Sequence, residues 1–283
     1  MSFLSVLFAY LLSRYTSLAT WIQHDGWFDL GLTSLVAKGL TGRIPFYVIV
    51  FGTSLLCLFV IRHLSFGLDF FATIALLLYS LGRGNWRDYL SQTFQALQNG
   101  KAQTVWLTLE SEGNIEATGG DALWMAIRKH AAYSYLRDLF AVFFWFCLAG
   151  PAGAVFFRLL TLYNQHASVR NTQLPSFLNW QTALEWLPAR YMGLCFCLAG
   201  DFSRCFRLWR KLVLDTQLDS RTFLCRCLDE ALVMSDNTET PATSLEQELV
   251  DKSLRYGVSI QDLLIRSEMI GLVGLALTVI IFH

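Results

Sequence analysis

The residue with the most chemistry to explain in this chain is Arg190, a guanidinium in the first half of the segment Thr182–Ser203, just before its apolar run from Tyr191 to Gly200. A buried Arg in an apolar helix is costly enough that it usually serves a purpose or pairs inside a bundle. Its neighbourhood reads Leu184-Glu185-Trp186-Leu187-Pro188-Ala189-Arg190. Pro188 lacks a backbone N–H and can leave a carbonyl free one turn earlier. Two readings stay open. Glu185, Trp186, Pro188 and Arg190 form a ligand-binding polar notch facing a bundle interior, or they lie at a membrane interface with Trp186 as anchor and Arg190 reaching headgroups. Asp69 is either a buried partner for Arg190 or an interfacial acid. Gly82-Arg83-Gly84 offers N–H groups and a cation to an anion, or simply ends a helix with a basic flank. It lacks the Walker spacing. Gly150-Pro151-Ala152-Gly153 reads as a helix kink whose small residues allow close packing.

Other chemistries find no support in the spacing. The five histidines are scattered, with no HExxH or paired-His pattern, so no metal site is expected. No GxSxG or kinase-type set occurs, and no catalytic residue is assigned. The seven cysteines have neither zinc nor thioredoxin spacing and read as small buried hydrophobes in a reducing compartment. Net charge is zero, which leaves a nucleic-acid partner without an electrostatic footprint.

The elements that hold these residues are apolar helices. Hydrophobic residues make up 54% of the chain and charged ones 16%, against roughly 25% charged in soluble domains. The lipid bilayer is the natural home for that excess. Ile44–Ile61, bracketed by Arg43 and Arg62, and Leu139–Phe157, bracketed by Asp138 and Arg158, are uncharged. Each approaches the roughly 20 residues that cross a bilayer. Leu64–Gly82 is a third span, forming a tight hairpin with the first. The apolar N-terminus is an uncleaved first helix with Arg14 snorkelling. Thr182–Ser203 is a broken or re-entrant helix, and Met269–Phe282, extended back to Leu263, is the last span. The fold class expected is all-α: a polytopic helical membrane protein with about five to six membrane helices, forming one domain over residues 1–283. Two cytoplasmic helical insertions fall at about 83–137 and 202–262, the second with arginines interleaved among aromatics. Asn99-Gly100 caps a helix beginning near Asn85, and Ser235–Ser244 is a polar linker. With six spans, the positive-inside rule places Arg83, Arg87 and the basic group from Arg204 to Lys211 in the cytoplasm and both termini outside.

Several strings also resemble a known family. Tyr79-Ser80-Leu81-Gly82-Arg83-Gly84, Phe144-Trp145-Phe146 with Gly150-Pro151-Ala152-Gly153, the LEWLPAR string, and His24-Asp25-Gly26-Trp27 resemble, in order and spacing, the AmpE family of bacterial inner-membrane proteins. More distantly the chain resembles the CobD/CbiB proteins of cobalamin biosynthesis. The AmpE resemblance implies a modulator of β-lactamase induction and peptidoglycan recycling, with a muropeptide amidase or another recycling component as partner. The CobD/CbiB resemblance implies an ATP-dependent amide-forming enzyme, with ATP and Mg as the cofactors. The Asp-Pro and His-Pro element and the paired acids of that second family are absent here. Arg14-Tyr15-Thr16-Ser17 and Lys129–Tyr135 stand in their places. The expectation is therefore a regulator, which binds a cell-wall fragment, nucleotide or lipid at Arg190 and Arg83, rather than a ligase.

Overall fold

The computed structural model describes residues 2–15, 25–38, 43–64, 67–82, 86–111, 119–170, 177–233 and 245–282. The helices are α1 (Ser2–Tyr15), α2 (Gly26–Ala37), α3 (Ile44–His63), α4 (Leu68–Ser80), α5 (Trp86–Gln98), α6 (Ala102–Ser111) and α7 (Gly120–Tyr135). A π-turn over Leu136–Phe140 leads into α8 (Ala141–Arg170), followed by α9 (Leu178–Ala199), α10 (Phe202–Leu212), α11 (Ser220–Ala231) and α12 (Leu245–Phe282). No strand occurs among the described residues. Contacts divide the chain into two compact units. The first holds residues 1–83, 138–185 and 273–283; the second holds 84–137 and 186–272.

In the first unit, α3 starts where Pro45 enters its first turn, a position at which the missing N–H is no loss. It ends with Arg62 and His63 in the last turn, before Leu64 turns extended. Within the helix the Ser54 hydroxyl donates to the Val50 carbonyl at 2.7 Å, which satisfies it inside an apolar run. Phe28 and Leu32 of α2, Phe46 and Val50 of α3, and Leu159 and Tyr163 of α8 build the core with Phe177. Phe46 and Phe177 stack at 3.7 Å between centroids. Further aromatic rings meet this pair mostly edge-on, the geometry their quadrupoles favour.

In the second unit, ion pairs tie the helices, two of them part-buried and the third exposed. Arg87 of α5 meets Glu268 of α12 at 2.6 Å, Arg128 of α7 pairs with Asp229 of α11, and Lys252 of α12 pairs with Asp121 of α7. α5 ends in a Schellman motif: Gly100 adopts φ 70°, its N–H donates to Leu97, and the Lys101 N–H donates to Ala96. That is the expected Asn99-Gly100 cap. α10 begins with Asp201, whose carboxylate accepts the Arg204 N–H. That bond, with the Ser203 hydroxyl, holds the Asp201 carboxyl below the usual range. Cys195, Cys197, Cys205, Cys225 and Cys227 are buried, as small hydrophobes would be.

Among the described residues, two helical stretches are long and apolar enough to cross a membrane: Ile44–His63, and Gly120–Gln165, which runs through the kink at Gly150. Several expectations change here. The third span is shorter than Leu64–Gly82, because Gly67 at φ 106° starts α4 and Leu81 is already extended, leaving 13 residues. The expected break near Pro188 is absent, and α9 runs as one 22-residue helix. The kink expected at Gly150-Pro151 is present: φ 69° and ψ −164° at Gly150 interrupt α8 just before Pro151. The expected amphipathic run from Phe202 to Met234 is two helices, α10 and α11. The linker Ser235–Ser244, His24 and Arg83 lie outside the described residues.

Candidate functional site

α9 carries the polar residues singled out in the sequence, and it uses them in different ways along its length. Pro188 has no N–H for the carbonyl of Leu184, four residues earlier. Within the first unit, the Trp145 indole of α8 supplies the missing donor, with its Nε1–H 3.2 Å from the Leu184 oxygen. A carbonyl freed by proline is thereby satisfied by a side chain, and the helix continues without a break. The Gly150 kink and Gly153 belong to the same arrangement. A Cβ at Gly153 would come within 2.8 Å of the Trp145 carbonyl oxygen and 2.6 Å of the Ala149 Cβ. The cavity beside the kink has a volume of about 350 Å³ and is lined by Phe51, Ser54, Trp145, Phe156 and Leu184 among others. Its walls are apolar, so it offers nothing to orient a charged ligand.

Glu185 belongs to the first unit and sits in a buried amide ladder. Asn164 accepts the Phe177 N–H through its Oδ1 at 3.0 Å and donates to Gln181 Oε1 at 2.8 Å. Gln181 in turn donates to Glu185 Oε1 at 2.8 Å. All three side chains are more than nine-tenths buried. Six residues before Asn164 on α8, Arg158 reaches within 3.6 Å of Asp25, whose other oxygen receives a long contact from the Tyr79 hydroxyl. The sequence reading did not assign roles to Asn164, Gln181, Arg158 or Asp25. The i, i+4 pair Gln181 and Glu185 was the available signal, since that spacing places two side chains on one helical face.

Arg190 lies in the second unit and is 3% exposed. Its guanidinium is held by backbone carbonyls of the segment between α10 and α11. Nη2 donates to Asp215 at 2.5 Å, with longer contacts from Nε to Val213 and from Nη2 to Leu218. Its charged carbon sits 5.1 Å from the Trp186 ring centroid and 4.4 Å from that of Phe223, two cation–π contacts. The Arg190 carbonyl accepts the Trp209 indole N–H at 2.9 Å. Two donors are left over. Arg190 Nη1 and Trp186 Nε1 are buried with no hydrogen-bond acceptor among the described residues. Buried donors of this kind are rare, and each calls for an acceptor oxygen.

The sequence-derived site therefore does not come together as one notch. Glu185 is committed to the first unit's amide ladder. Asp69 caps its own helix, accepting the N–H groups of Gly67 and Phe70 at 2.9 and 2.8 Å. The Gly82 N–H donates to the Asp138 carbonyl at 2.6 Å and is not available to an anion. Among the described residues, no three His, Cys, Asp or Glu side chains are grouped to hold a metal ion.

No family model matches the chain, and no solved structure matches it. Two curated proteins do, both described as cobalamin biosynthesis protein CobD. The one from Stutzerimonas stutzeri strain A1501 is 25% identical over 158 residues, covering 51% of this chain and 50% of that protein. The one from Chromobacterium violaceum is 25% identical over 157 residues, covering 50% of this chain and 48% of that protein. The chain spans about half the length of the curated relatives it matches. These matches support the distant CobD-like part of the resemblance; the AmpE part rests on the quoted strings.

The Trp145 bond gives a direct test of how α9 stays unbroken. Trp145→Phe should cost about 1 kcal/mol, because it leaves a part-buried carbonyl without its donor. In a Pro188→Ala background, where the alanine supplies the helical N–H, the same change should cost markedly less. A double-mutant cycle by thermal denaturation in detergent should return a coupling of about 1 kcal/mol. Additive effects would mean that the indole does not replace the missing donor.

Proposed function

We propose that this chain is a non-catalytic sensor and adaptor of the bacterial inner membrane, acting in the response that links peptidoglycan recycling to β-lactamase induction. In this reading the chain crosses the membrane several times, with both termini periplasmic. The ligand is an anion or another oxygen-rich group from cell-wall fragments, nucleotides or lipids. The partner is a muropeptide amidase or another recycling component.

The observation that carries the reading is the state of Arg190. Most of its guanidinium is held by carbonyls of residues 213–218 and stacked on two rings, while Nη1 and the neighbouring Trp186 N–H remain as a donor pair for an oxygen acceptor. A group fixed in this way suits binding. An oxygen reaching it acts on the residue that also holds the segment between α10 and α11, so occupancy is relayed to those helices.

Trp186→Phe tests this cleanly. It keeps a ring beneath the guanidinium and removes a donor that folding leaves unsatisfied, so abundance should be unchanged. Losing one charge-assisted or ligand hydrogen bond should move the half-maximal inducer concentration up by about tenfold. Normal induction at normal abundance would remove the proposed role.

The two CobD relatives favour a second reading, an ATP-using amide-forming enzyme of cobalamin biosynthesis. The donors at Arg190 and Trp186 suit an oxyanion. The carboxylates that flank the bound segment, however, accept backbone N–H groups: Asp215 from Gln217 and Leu218, and Asp219 from Arg221. Each thus has one oxygen committed to the segment itself, and no reaction step is derived through Mg·ATP. Saturable Mg·ATP binding in lipid nanodiscs that is lost in Trp186→Phe would put this second reading ahead.

A further inference from the structure

α10 has a composition unlike the rest of the chain. The chain carries 22 basic and 22 acidic residues, yet Phe202–Leu212 reads FSRCFRLWRKL, with Arg204, Arg207, Arg210 and Lys211 and no acid. At 3.6 residues per turn these four bases and Ser203 fall on one arc of the helix, and Phe202, Phe206, Trp209 and Cys205 fall on the other. Cys205 is buried. The three aromatic rings follow at i, i+4 and i+7 and stack in series, at 5.0 Å from Phe202 to Phe206 and 5.6 Å from Phe206 to Trp209. The row is anchored at one end, where the Trp209 N–H is bound to the Arg190 carbonyl. It is open at the other, where Phe202 is 49% exposed.

Immediately after the helix comes Leu214, 81% exposed. It stands between Val213 and Asp215, whose carbonyls Arg190 holds. Arg204 and Arg210 are exposed, as are Arg207 and Lys211. None of the four bases enters an ion pair with a described residue. An exposed apolar edge beside an arc with an excess of positive charge is the pattern of a helix lying in a membrane interface.

We propose that α10 is an interfacial helix that binds anionic phospholipid, with Phe202, Phe206 and Leu214 entering the acyl boundary and the four bases on the headgroup phosphates. Charge complementarity selects the occupant. Among the described residues the Asp201 carboxylate lies beside Arg204, one acid against four bases, so the arc keeps an excess of positive charge, and the aromatic and leucine edge has no use for a soluble polyanion. The inference stands apart from the role given to Arg190, and either can fail without the other.

The test uses the full chain in nanodiscs, with Leu214→Cys carrying a bimane fluorophore and the chain without that substitution, treated identically, as the blank. Quenching by brominated-chain phosphatidylglycerol should exceed that by brominated-chain phosphatidylcholine at least about twofold, since each base near an anionic surface supports a several-fold enrichment. The excess should fall with added salt. Replacing Arg204, Arg207, Arg210 and Lys211 together by Gln should abolish it, with helix content by circular dichroism unchanged. Equal quenching by the two lipids would overturn the proposal. So would a bimane shift produced by a soluble oligonucleotide in phosphatidylcholine discs, which would reassign the arc to nucleic acid.

Discussion

Replacing Gly82 by alanine should destabilise the first unit by about 3 kcal/mol, the upper end of the cost of forcing extra volume into a packed position. The added Cβ would lie 2.6 Å from the Asp138 Cα and closer still to the Asp138 side chain. Asp138 belongs to the π-turn between α7 and α8 and is itself buried. No rotamer change relieves a clash with backbone, so residues 81–82 or the turn must move. Moving either one breaks the bond from the Gly82 N–H to the Asp138 carbonyl. Gly52→Ala is the control. Gly52 lies inside α3 at φ −58°, and a Cβ there meets nothing within 4 Å. That change should leave stability unchanged or raise it by about 0.5–1 kcal/mol, through the lower entropy of the unfolded chain. Melting temperatures of the two variants in detergent should therefore move in opposite directions, or only the Gly82 variant should move. If Gly82→Ala melts like the parent chain, the close approach of residue 82 to the π-turn is not present in solution.

Local signals were readable in the sequence and non-local ones were not. The ends of α3 follow from Pro45 and the basic residues after Val60, and the end of α5 follows from Asn99-Gly100, because a cap is decided within a few residues. The kink at Gly150 was legible for the same reason. Pro188 misled because the same local rule applies to it, yet the donor that repairs the helix comes from Trp145 on another helix, 39 residues from the Leu184 carbonyl it satisfies. Leu64–Gly82 looked long enough to span because it is largely apolar, with Asp69 its one charged residue. The positive φ at Gly67 that shortens it has no signature beyond the glycine itself. The site shows the same division. That Arg190 would be buried and would need partners followed from its apolar neighbours. That the partners would be carbonyls at 213–218 did not, since a loop carbonyl is invisible in residue type. Glu185 and Asp69 were chosen for their charge, and local hydrogen bonds claim both.

Arg190→Ala should cost the second unit about 3 kcal/mol, from the loss of a charge-assisted hydrogen bond worth about 1.5–3 kcal/mol and of the stem that packs beneath it. The carbonyl of Asp215 loses its 2.5 Å partner, and Trp186 and Phe223 lose the cation lying over both rings. Arg190→Met restores most of the buried volume without any donor, so it separates packing from hydrogen bonding. Arg190→Lys keeps the charge but has neither the planar fork nor the flat face that two rings accept. The expected order of melting temperature is parent, then Lys, then Met, then Ala. The segment between α10 and α11 should become the first site of proteolytic cleavage in the Ala and Met variants, because its carbonyls are the groups released. Should Met match the parent in both melting and cleavage, the bond to residue 215 contributes nothing to stability, and Arg190 would be held by packing alone. Its whole guanidinium would then be free to serve a ligand, and Trp186→Phe would be the weaker of the two tests of the sensor reading.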